Sequence, residues 1–182
     1  VDCPDLAMSR HLAFPDLSNA EFVKLAAGNV EALNHALRDI PPDRLRLHLC
    51  WGNYEGPHHR DIPLREILPV VLKARPQALS FEGANPRHAH EWVVFRETRL
   101  PDDKVIIPGV RDTTTNFIEH PLLVAERIAR YARLVGRENV MAGTDCGFAQ
   151  GPFHRRVHLS IQWAKLQALS EGARLASQEL WK

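Results

Sequence analysis

Strand-like and helix-like stretches alternate about five times along this chain, and that alternation limits the fold more than any other feature. Residues 18–38 carry apolar residues at helical spacing (Phe22, Leu25, Ala26, Val30, Leu33, Leu37), with Ser18 as N-cap and Glu21 as its capping-box partner. An apolar run over about 45–51 predicts a strand, and Pro63 opens a helix that runs to about Arg75. Ala78 to Glu82 reads as a strand, 87–97 as a short helix and 104–110 as a buried strand. A helix from about Pro121 to Val135 ends at Gly136, a strand over 139–144 follows, and a long helix at about 157–178 closes the pattern. The connections are too long for hairpins, so five parallel strands in sequence order, joined by crossover helices, are expected.

A doubly wound sheet and a (βα)₈ barrel both satisfy this alternation. No Gly-rich dinucleotide or phosphate loop supports the first. A complete barrel needs about 250 residues, so in 182 residues a barrel can only be partial. No repeat or linker divides the chain, and residues 1–182 read as one domain. Lys+Arg less Asp+Glu is 23 − 22 = +1, which gives no electrostatic footprint for nucleic acid or an anionic membrane. No apolar stretch reaches the roughly 20 residues of a membrane span, and the N-terminus lacks a signal-peptide profile. Three irregularly spaced cysteines form no disulfide framework, which points to a reducing cytoplasm.

Four soft-ligand side chains fall at the downstream ends of the strand-like runs: His48 and Cys50, Glu82, and Cys146. In parallel α/β proteins those ends converge on one face, where active sites are built. His48 and Cys50 are two apart on a strand and share a face. Glu82, a carboxylate at a buried strand end, needs a cation or other partner. Two thiolates, an imidazole and a carboxylate describe zinc rather than a hard cation. Spacing alone leaves open a second reading, core cysteines beside a structural glutamate.

The elements His-Leu-Cys-Trp-Gly-Asn (48–53), Phe-Glu-Gly-Ala-Asn-Pro-Arg-His (81–88), Ile-Pro-Gly-Val-Arg-Asp (107–112) and Gly-Thr-Asp-Cys-Gly-Phe (143–148) resemble, in order, the catalytic domain of the cobalamin-independent methionine synthase superfamily. They look closest to its short, single-barrel branch, which includes epoxyalkane:coenzyme M transferase. The resemblance implies a (βα)₈ TIM-type barrel, here its last five βα units, with Zn²⁺ held by His48, Cys50, Glu82 and Cys146. It implies a small-molecule thiol, homocysteine-like or coenzyme M, activated as a zinc thiolate for attack on a methyl or alkyl donor. Val1-Asp2-Cys3-Pro4 looks like the family's Ile-Asp-Glu-Pro strand end, which makes Asp2 a substrate-contact candidate. Asp112 matches a family acid and is the candidate catalytic relay. Thr114 stands where methionine synthases carry a proton-transferring His; a Thr hydroxyl is no general acid near neutral pH.

Asn53, Asn85 and Asp145 lie beside the ligands and are candidates to orient them. His58 and His59 read as a loop over the barrel mouth, His88 and His90 as surface or supporting groups, and His120 as a helix start. Cys3 reads as a bystander thiol, and Trp51 and Trp92 as packing. A competing reading is a non-catalytic half-barrel that an N-terminal partner or a second copy must close. A zinc hydrolase fits less well, since the one well-placed carboxylate is used as a ligand.

Overall fold

The computed structural model describes residues 1–149, 151 and 156–182. At its centre is a parallel sheet of β1 (Asp2–Cys3), β2 (Arg46–Leu49), β3 (Ala78–Phe81) and β4 (Val105–Pro108), in the order β1-β2-β3-β4. Every pairing is parallel, and neighbours in space are neighbours in sequence. The fifth expected strand is less than a strand. It follows β4 in parallel through two isolated bridges, Ile106 with Val140 and Gly109 with Gly143. Met141 and Gly143 donate to the Ile106 and Pro108 carbonyls at 2.9 and 3.1 Å, while Pro108 has no N–H to return. That missing donor breaks the ladder.

Among the described residues five α-helices accompany the strands: α1 (Ser9–Leu12), α2 (Asn19–Ala36), α3 (Leu64–Val71), α4 (Pro121–Val135) and α5 (Leu159–Leu180). The capping box of α2 forms as read. Ser18 Oγ accepts the Glu21 N–H at 3.3 Å, and the Glu21 carboxylate accepts the Ser18 N–H at 2.8 Å. Loss of such a cap costs about 1 kcal/mol. Helix α3 is shorter than expected: it contains Pro69, and beyond Val71 the chain tightens, with Lys73 and Ala74 bonded three residues back. The expected helix at 87–97 is a 3₁₀ segment, Glu91–Arg96. It contains the β-branched pair Val93 and Val94 beside Trp92 and Phe95, all poor at sustaining an α-helix.

Alternation along the strands sorts the two faces of the sheet. Leu47, Leu49, Leu79, Phe81 and Ile106 form one core with Phe22, Ala26 and Val30 of α2 and Leu64, Ile67, Leu68 and Val71 of α3. Tyr131 of α4 closes it, edge-on to Phe81 and Phe95 at ring separations of 5.9 and 5.7 Å. A second core joins α4 to α5 through Val124, Ala125, Ile128 and Ala176. The opposite face therefore carries His48 and Ser80, which are register partners, and delivers Cys50 and Glu82 at the strand ends. The fold is α/β, and a sequence-ordered parallel sheet with helices packed on its apolar face is part of a (βα) barrel. No helix among the described residues is long and apolar enough to cross a membrane.

Candidate metal centre

Four predicted side chains meet at the downstream ends of the strands. Cys50 Sγ lies 3.6 Å from Cys146 Sγ, His48 Nε2 lies 3.2 Å from Cys146 Sγ, and Cys146 Sγ lies 3.6 Å from Glu82 Oε1. The donor atoms of His48, Cys50 and Cys146 all fall within 4.8 Å of one another; Glu82 joins them at the Cys146 side. Tetrahedral zinc with sulfur and nitrogen ligands has edges of about 3.8 and about 3.5 Å. The observed separations match such edges. All three cysteines are free thiols.

Electrostatics at this cluster are unfavourable without a cation. Two buried thiols this close ionise as a pair. The hydrogen bond from Cys146, ahead of the opposing effect of burial, brings Cys50 down to about 5. The same bond, with burial, pushes Cys146 well above the ordinary thiol value. Burial, and then the Asp145 charge, raise Glu82 to about 7. A divalent cation favours the ionised form of each of these groups.

The support around the cluster is dense. Ser80 Oγ lies 3.1 Å from His48 Nδ1, which turns Nε2 of the ring toward Cys146. Glu82 receives the Trp51 N–H at 3.0 Å, the Asn85 amide at 2.8 Å and Arg87 at 3.0 Å. Asp145, fully buried, accepts the N–H groups of Gly83, Ala84 and Asn85, each at 2.8 Å, and the Asn85 amide at 2.9 Å. Burial pushes its carboxyl up, and those backbone donors oppose the shift. Gly109 makes room for this lock: a Cβ there would sit 2.0 Å from Asp145 Oδ1.

The other expected residues divide. Asn85 lies between the carboxylates of Glu82 and Asp145, donating to both. Asn53 contributes through loops: its amide donates to the Gly147 carbonyl and its oxygen accepts from Thr113 Oγ1 at 3.1 Å. Asp2 is exposed on β1 in register with His48, on the ligand face. Asp112 folds its own loop, accepting the Thr114 N–H at 3.0 Å, the Thr114 hydroxyl at 2.9 Å and the Thr115 N–H at 3.1 Å. Cys3 lies in the helix-side core, where burial and Asp5 push its thiol to about 11, in keeping with a bystander.

Three residues do more than their sequence context shows. His58 lies in the loop after β2, and its side chain is fully buried against Asp61. His88 is likewise buried, 2.8 Å from Glu91 and 3.2 Å from Asp61. Trp51 does more than pack, since its backbone holds Glu82 and its indole donates to the Ile62 carbonyl at 2.8 Å. Sequence reasoning missed Ser80 and Arg87. Ser80 was within reach, since alternation puts it on the face of Glu82; Arg87 needed the turn after Pro86.

No family model matches the chain. In sequence it is similar to the 2-hydroxypropyl-CoM lyase of Xanthobacter autotrophicus, 27% identical over 178 residues that cover 84% of this chain and 46% of that protein. In fold it is similar to a solved B12-independent methionine synthase from Shewanella sp. W3-18-1 in complex with selenomethionine, with a TM-score of 0.68. That match is 20% identical and covers 90% of this chain and 47% of the other. The chain thus spans about half the length of each of these relatives. The sequence similarity agrees with the resemblance that the four motifs carry, and the structural match shows the barrel-type fold that the resemblance implies.

Proposed function

We propose that the protein is a zinc-dependent thiol alkyl- or methyltransferase, with His48, Cys50, Glu82 and Cys146 as the metal ligands. The observation that carries this reading is the meeting of two free thiols, an imidazole and a carboxylate at the downstream ends of β2, β3 and the segment bridged to β4. Bound there, zinc supplies a Lewis acid that keeps a substrate thiol deprotonated and its sulfur nucleophilic at neutral pH. The chain's own residues set that up. Ser80 fixes the His48 ring, while Asn85, Arg87 and the Trp51 N–H orient Glu82. Asp2 is the candidate to hold the polar end of the thiol substrate, from the same sheet face as His48.

Thr114 favours alkyl transfer of the coenzyme M kind over folate-dependent methyl transfer. Its hydroxyl is spent on Asp112, which leaves no acid–base group at that position. The similarity to a 2-hydroxypropyl-CoM lyase points the same way. We take residues 1–182 as one domain, the C-terminal part of a barrel that further strands, from an N-terminal half or a second copy, complete. We place it in the cytoplasm, in keeping with three free cysteines.

Cobalt-substituted protein tests the proposal. Addition of coenzyme M or homocysteine to the completed barrel should intensify the sulfur-to-cobalt charge-transfer band. If neither thiol perturbs the spectrum, the thiol-activation reading fails. If a thiol binds only when the barrel is completed, the 182-residue chain alone is a non-catalytic half.

A further inference from the structure

A second cluster of ligand-type side chains surrounds one carboxylate, Asp61, apart from the cysteines. Asp61 lies in the loop between β2 and α3. His11 of α1 brings its Nδ1 to 2.7 Å from Asp61 Oδ1, and His58 brings its Nδ1 to 3.0 Å from Asp61 Oδ2. The His11 and Asp61 side chains are only 7% and 9% exposed, and that of His58 is fully buried. His88 Nε2 approaches the same carboxylate at 3.2 Å, but its other nitrogen is committed to Glu91 at 2.8 Å.

The hydrogen positions at His58 leave a lone pair facing a carboxylate. His58 Nε2 points at the Tyr54 carbonyl at 3.1 Å, and a carbonyl only accepts, so Nε2 carries the ring proton. In the neutral ring His58 Nδ1 is then a bare lone pair aimed at a carboxylate. Burial lowers the pKa of His58 and of His11, against the opposing pull of the Asp61 carboxylate. His11 Nε2 is engaged by the Tyr54 hydroxyl at 2.7 Å, which leaves Nδ1 as its free ring atom. That Nδ1 is buried and has no hydrogen-bond partner, although Asp61 Oδ1 is close: the two are misaligned for an N–H···O bond. His58 also holds a backbone φ of +46°, a left-handed conformation uncommon for a side chain-bearing residue.

We infer that His11, His58 and Asp61 form a second divalent-cation site, separate from the cysteine cluster and built of nitrogen and oxygen donors. Their ligand atoms lie within 4.8 Å of one another. Two imidazoles and one carboxylate suit zinc or another imidazole-favouring transition metal, with room left for water or a further ligand. Room exists on the His58 and Asp61 side, where a cavity of about 290 Å³ is also lined by Arg87, His88 and Glu91; His11 lies outside that lining. A cation there would tie α1 to the loop after β2. It would also sit behind the support of Glu82, since Arg87 lines the cavity and holds that carboxylate at 3.0 Å.

Cobalt titration of the purified chain separates the two sites, because only the cysteine site gives a sulfur-to-cobalt charge-transfer band. The wild-type chain should take up two equivalents, one with that band and one with weak ligand-field bands alone. His11→Ala and His58→Ala should each drop the uptake to one equivalent and keep the charge-transfer band. Cys146→Ala should lose the band and keep the weak-band equivalent. A wild-type chain that saturates at one equivalent with full charge-transfer intensity overturns the inference, whatever the variants do. Retention of two equivalents by both His variants overturns it as well. A wild-type chain that takes one equivalent without the band supports this site and contradicts the zinc proposal instead.

Discussion

Asp145 and Asn85 are joined twice: the carboxylate of Asp145 accepts the Asn85 backbone N–H at 2.8 Å and its side-chain amide at 2.9 Å. The loop after β3 is thereby latched to the loop that carries Cys146. The latch sets the separation between Glu82 and Cys146, which follow β3 and the segment bridged to β4.

Asp145→Asn should break that latch. An Asn offers an N–H₂ where Asp offers an oxygen, and leaves at least one buried backbone donor of residues 83–85 without a partner. A loss of about 2–3 kcal/mol in unfolding free energy is expected, read by urea denaturation. Metal affinity should fall as well. A variant with wild-type stability and affinity would show that the latch holds nothing.

Ser80→Ala removes the group that orients the His48 ring while leaving all four ligands in place. Groups that orient a metal-ligating histidine typically contribute 10–100-fold in affinity. Zinc affinity measured by competition with a chromophoric chelator should weaken by about that factor, with little change in stability. An unchanged affinity would mean that the His48 ring needs no such anchor.

Asp112 acts on its own loop, and its effect should depend on pH in one direction. Burial opposes its ionisation, but the hydrogen bonds from Thr115 and Thr114, with the Lys165 charge, win and hold its carboxyl below the ordinary value. A depressed folded-state pKa stabilises above the unfolded pKa, and that contribution is lost as pH falls through the folded pKa. Asp112→Asn should therefore be less stable than wild type at pH 7, and the difference should shrink on acidification below the ordinary aspartate range. A gap that stays constant with pH would assign the loss to shape, not charge.

Much of this was legible in the sequence, for reasons that can be named. The Ser18 and Glu21 capping box and the Pro121 to Gly136 helix follow from local chemistry, and both form as read. That His48, Cys50, Glu82 and Cys146 come together was legible because strand ends in a parallel sheet converge, whatever the distance in sequence. The fifth strand was overread because its apolar pattern is sound while its partner offers Pro108 in place of a donor. The His11, His58 and Asp61 cluster was not legible. It joins a four-residue helix to a loop, and no periodicity predicts how a loop folds back on a carboxylate.

The central claim is the ligand set, and X-ray absorption at the zinc K-edge of the reconstituted chain and its Cys146→Ala variant tests it most directly. With one equivalent of zinc, the wild-type shell should contain two sulfur scatterers at about 2.3 Å and two nitrogen or oxygen scatterers at about 2.0–2.2 Å. The variant should show one sulfur or bind no zinc at that site. A wild-type shell of nitrogen and oxygen alone, or a shell unchanged by Cys146→Ala, would contradict the account.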